Sequence, residues 1–192
     1  VHLLMAVFVT FAGSLQLVPA IRGKAPRFHR WNGRAFIAVA FVIALSGLFI
    51  AFTRGAVAGT YMAIGNMLNA VLLMLCAGQA LRFARKKRFD LHGRWALRAF
   101  VLMLGVFFYR LGMMLWFAAN QGPVGHTEAF DGPFDIALAF GHVLVPVAIL
   151  ELYLLARDRG GVGARLAMAC GMAVVTLCLL YTSPSPRDAT LS

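Results

Sequence analysis

Two histidines stand in matching chemical settings: His29-Arg30-Trp31-Asn32-Gly33-Arg34 and His92-Gly93-Arg94-Trp95 each place an imidazole beside arginine, tryptophan and glycine, just ahead of an apolar run. Two imidazoles at equal depth on facing helices are what bis-His ligation of a b-type haem requires. His29 and His92 meet that depth condition at one end of the apolar runs, and His2 and His142 meet it at the other end if the first helix extends beyond Val1. Two stacked haem b sites would pass electrons across a bilayer, with a quinone or another redox carrier as partner. No metal beyond haem iron is implied. Cys76 and Cys170 lie in apolar runs without metal-ligand spacing and are expected to be buried small hydrophobes. A plainer account of both histidine motifs is anchoring of Trp and Arg against lipid phosphates.

A second group lies deeper. Counted from the far ends of their helices, Ser46, Asn66, Asn69, Arg110 and His142 fall about 9 to 14 Å below the boundary, as one polar layer. Asn66 and Asn69 share a helix face, Asp135 and His142 lie on one stripe with Ile149 and Tyr153, and Arg110 is expected to reach toward Asp135. Such a layer is either interhelical hydrogen bonding or the pocket of a small-solute transporter or ligand-binding membrane module, with Arg110 as its anion-binding centre. Pro146 leaves the His142 carbonyl without a helical donor, so a kink is expected there. Glu151 is expected to form an ion pair, with Arg157 close by, rather than to relay protons. Soluble-type catalysis has no candidate residues, since there is no nucleophile beside a base, no thiolate cluster and no phosphate loop. A non-catalytic membrane scaffold is the third functional class.

The elements that must position these groups are transmembrane helices. Of 192 residues, 61% are hydrophobic and only 13% charged, which exceeds the apolar fraction of soluble domains. The net charge of +11 resides in short segments between apolar runs and not in a polar fold, which excludes a nucleic-acid binder and favours anionic lipid headgroups. At 1.5 Å per residue, six runs are long enough to count as candidate spans: 1–18, 35–53, 60–81, 95–119, 134–156 and a last one ending near Leu177. Lys and Arg number 5, 7 and 3 in the first, third and fifth connections, against Arg54 alone in the second and none in the fourth. The positive-inside rule then sets the N-terminus outside, in a bacterial cytoplasmic (inner) membrane. The expectation is an all-α polytopic bundle of about six helices over 1–177, its first and last helices truncated. Residues 178–192 are expected to be disordered read-through of library DNA, because Cys178 to Asp188 can be reverse-translated into the sequence of a transposase-type sequencing adaptor. Oligomeric state is not legible.

Several of these residues also carry a family resemblance. Gln16-Leu17-Val18-Pro19-Ala20-Ile21-Arg22, His29-Arg30-x-x-Gly33-Arg34, Ser46-Gly47, His92-x-Arg94-Trp95-x-x-Arg98 and Arg110 resemble the motifs of an uncharacterised family of bacterial multi-pass membrane proteins, over roughly Val1 to Trp116. Gly93 and Ala96 depart from the usual His-Arg-x-Trp-Met-x-Arg form, leaving the His and Arg positions intact. The resemblance implies a membrane bundle and no established activity.

Overall fold

Proline sets the starts of the second and third helices. Val18, extended ahead of Pro19, ends α1 (His2–Leu17), and Pro19 opens the short α2 (Pro19–Lys24). Pro26 opens α3 (Pro26–Arg54). In this computed structural model, which describes residues 2–54, 59–163, 166–171 and 173 (with the side chains of 2–7 and 54 outside that description), the remaining elements are α4 (Gly59–Arg85), α5 (Phe89–Met103), α6 (Gly105–Asn120) and α7 (Pro133–Arg159). No strand occurs among the described residues, so the all-α expectation holds.

Among the described residues three helices are long and apolar enough to cross a bilayer, Pro26–Thr53, Gly59–Arg85 and Pro133–Arg159, and α5 with α6 makes a fourth if the bent pair is one span. The expected count of about six is therefore looser than the structure. α1 is a shorter apolar helix, the sixth run falls partly outside the described residues, and the tail from 178 lies wholly outside them. The basic segments also differ from expectation. Residues 22–34 and 82–94 are expected to be connections, yet His29 lies in α3, His92 in α5, and the turn between α4 and α5 is only Lys86–Arg88. Arg and Lys stems can cover apolar surface while their charges stay wet, so helices run past the apolar windows by one or two turns.

That turn closes α4 with two returning bonds: the Arg88 N–H to the Phe83 carbonyl (3.0 Å) and the Lys87 N–H to the Ala84 carbonyl (3.1 Å), with Lys87 left-handed at φ 58°. α4 is the central helix, packing on α3, α5 and α7. The core is built of small and branched residues, among them Ala40, Ala44, Ala70, Leu73, Cys76, Ala77, Ala99, Leu102 and Val143. Small side chains let membrane helices approach closely. At Gly65 the approach is closest: a Cβ there would overlap the Ala139 carbonyl oxygen of α7. α1 is held to α3 by the Asn32 amide donating to the Ala12 carbonyl (2.8 Å) and the Gln16 amide donating to the His29 carbonyl (3.0 Å).

α5 and α6 meet at 54° across Leu104. The Leu104 N–H is shared between the Phe100 and Val101 carbonyls (3.3 and 3.1 Å), and the Asn69 amide of α4 packs where a Cβ on Gly105 would project. Pro146, by contrast, lies inside an uninterrupted α7. Cys76 is buried as expected. Cys170 is exposed, because the described residues around it lie on the outside of the bundle.

Candidate functional site

Polar groups gather at the two ends of the bundle. At the basic end, Arg94 and Arg98 stand one turn apart on α5 and face acids on α7. Arg98 grips Glu151 with both arms, Nε to Oε1 at 2.5 Å and a terminal nitrogen to Oε2 at 2.8 Å, and its guanidinium lies 4.8 Å from the centre of the Trp95 ring. Arg94 pairs with Asp158, which also accepts from Arg157 at 3.1 Å. Glu151 therefore forms an ion pair as expected, with a different partner: Arg157 is taken by its own neighbour, and Arg98 comes from across the helix interface. Arg98 is 18% exposed and Glu151 40%, so solvent screens the pair. Arg98→Ala should lower stability by about 1 kcal/mol, and the swap of Arg98 and Glu151 should recover part of that loss in thermal unfolding.

The two candidate haem ligands lie at this same end. His29 and His92 are electrostatic neighbours, and Arg22 is a further neighbour of His29. His92 Nδ1 lies 2.9 Å from the Ala80 carbonyl. A carbonyl can only accept, so Nδ1 carries the proton, and in the neutral ring the lone pair is on Nε2. His29 Nδ1 is buried with no hydrogen-bond partner.

At the opposite end, the loop between α6 and α7 folds over a buried acid. Gly125 (φ 76°) turns its carbonyl to the Phe134 N–H at 3.1 Å, and a Cβ at Gly132 would overlap that same oxygen. Trp116 donates its ring N–H to the Val124 carbonyl at 2.7 Å and stacks on Phe134 with centroids 5.0 Å apart. Asp135, only 3% exposed, accepts from the Thr127 N–H (3.0 Å) and the Gly132 N–H (3.2 Å) through Oδ2, while Oδ1 is 2.6 Å from His126 Nδ1. His126 sits between Phe117 and Phe130, at centroid distances of 5.6 and 5.1 Å.

The expected contact from Arg110 to Asp135 is not formed, because His126 and two backbone donors occupy the carboxylate. Sequence reasoning passed over His126. The available signal was Asp135 at the third position of a helix opened by Gly132-Pro133, where an acid accepts from the cap backbone and is thereby committed to its own loop.

The other members of the expected polar layer are divided between interior and surface. His142 is buried, with Nδ1 3.0 Å from the Leu138 carbonyl and its ring edge-on to Tyr109 at 5.9 Å. Asn69 is half-buried against Gly105, its Oδ1 without a partner. Ser46, Asn66 and Arg110 are exposed. The side chain of His2 lies outside the described residues. No group of three or more His, Cys, Asp or Glu able to hold a metal ion occurs among the described residues.

The geometry fits the family to which sequence comparison assigns the chain: the model for predicted membrane proteins designated DUF2306 matches residues 1–154. The chain belongs to the DUF2306 family. That match takes in α1 to α6 and most of α7, with His29, His92, His126, Asp135, His142 and Glu151 inside it and Asp158 beyond it. No curated protein and no solved structure matches the chain. As a DUF2306 member it is a membrane protein of unknown function, and its chemistry has to be argued from its own residues.

Proposed function

We propose that this DUF2306 protein binds a b-type haem between His29 and His92 and carries electrons in a bacterial cytoplasmic membrane. The observation that supports this reading is the state of the ring nitrogens. The two rings are within electrostatic range of each other, His92 is fixed through Nδ1 by the Ala80 carbonyl so that Nε2 is unspent, and His29 Nδ1 is buried without a partner. A backbone carbonyl on the far ring nitrogen is the usual second-shell support of a ligating histidine, setting both its tautomer and its orientation.

A haem held there would supply a one-electron couple. The chain's own part is positional. Gln16 holds the backbone of His29 through its carbonyl, Ala80 holds the ring of His92, and Arg22 provides positive charge beside His29 for an anionic cofactor. His142, with Nδ1 set by Leu138, would be a ligand of a second haem, for which His2 is the other candidate. The partner this reading calls for is a membrane quinone or another electron carrier.

The test is optical. Full-length protein purified from cells supplied with a haem precursor should show a Soret band and reduced α-band. His29→Ala and His92→Ala should each lower haem retention by about tenfold or more, while His126→Ala should retain it. A full-length preparation with no Soret band overturns the proposal.

A further inference from the structure

Arg110 is the charge that the fold leaves unanswered. It lies in α6, about 15 Å along the axis from Asn120, and is exposed on a stripe with Val106 and Met114, beside exposed Phe107. Among the described residues it has no ion pair and no hydrogen bond through its side chain. Arginine at the centre of a membrane helix costs about 2.5–3.5 kcal/mol on insertion scales, so such a residue needs an anionic partner or a route to the headgroups. The headgroup route is hindered here. A helical Cα–Cβ bond tilts toward the helix N-terminus, which in α6 means toward the bend at Leu104 and away from the nearer end at Asn120.

Among the described residues no acid is free to pair with it at that depth. Asp135 is held by His126, Glu151 by Arg98, and Asp158 by Arg94 and Arg157. Asp90 begins α5 at the basic end, Glu128 and Asp131 belong to the loop beyond α6, and Asp188 lies in the polar tail. No other Asp or Glu occurs in the sequence, so a second copy has no free carboxylate to set against Arg110 within the bilayer.

We infer that the Val106–Arg110–Met114 face of α6 docks a transmembrane helix of a different protein, one carrying an aspartate or glutamate at the depth of Arg110. This inference does not rest on the haem proposal. Its test uses the full-length protein in phosphatidylcholine vesicles with labelled synthetic transmembrane helices, polyleucine with a single central Asp, Asn or Leu. Energy transfer should show the Asp helix associating about tenfold more strongly than the Leu helix, with the preference lost in Arg110→Leu. Arg110→Glu should in turn prefer a helix bearing Lys, which keeps the test decisive if Arg110→Leu fails to fold. Equal association of the Asp and Leu helices overturns the inference, as does an Asp preference that survives Arg110→Leu. So does Arg110-dependent enrichment of phosphatidylglycerol that displaces the Asp helix from mixed vesicles, since the occupant would then be lipid.

Discussion

Replacing Asp135 with alanine should destabilise the protein by about 3 kcal/mol, the largest loss expected from any single polar change. The carboxylate serves three donors at once, His126 Nδ1–H and the N–H groups of Thr127 and Gly132, in a setting that admits almost no water. Removing it leaves a part-buried imidazole and two backbone donors unpaired, and an orphaned donor shielded from water costs more than its hydrogen bond contributed. Asp135→Asn retains one acceptor oxygen and should cost about 1 kcal/mol. Thermal unfolding in detergent measures the stability. Limited proteolysis should show cleavage between Gln121 and Gly132 rising in Asp135→Ala before the rest of the chain opens. An alanine variant that unfolds at the wild-type temperature with an unchanged loop would show that the His126–Asp135 contact does not hold this end together.

A comparable effect is expected from one methyl group. In Gly65→Ala the new Cβ would fall inside the van der Waals contact distance of the Ala139 carbonyl oxygen, which is backbone and cannot rotate aside. α4 and α7 must then separate, at a cost of about 1–3 kcal/mol. Gly78 lies on the same helix with nothing within 4 Å of its Cβ position, so Gly78→Ala should be neutral or slightly stabilising through helix propensity. The contrast separates a packing effect from a general response of α4 to alanine. Equal unfolding temperatures for the two variants would contradict the close approach.

The long apolar runs were legible in the sequence because hydrocarbon thickness fixes their length. α4 and α7 each include the expected run and extend beyond it. Helix ends were not legible, since Arg27, Arg30 and Arg85 lie in helices yet have the composition of a connection. The bend at Leu104 leaves only Gly105 as a local trace, in a run that already contains Gly112. What distinguishes the two glycines is the Asn69 amide beside one and Leu138 beside the other, a fact of packing. His29 and His92 could be matched by depth alone, because both precede apolar runs of the same direction. The partners of Asp135 and Glu151 could not, because several cations compete for each acid and loop closure or helix crossing decides among them.

The acids of α7 have a consequence for how the chain is assembled. Arg98 and Glu151 are separated by 53 residues. At about 5–20 residues per second, ribosomal synthesis delivers the counterion roughly 3–10 s after the cation. Over that interval α5 would sit in the membrane with Arg94 and Arg98 unmatched, although their pairing helps fasten it to α7. Helix α7 therefore closes this ion-paired seam, and a ribosome stalled before Glu151 would release a chain whose α5 still packs on α4 but whose Arg94 and Arg98 have no carboxylate to lock against.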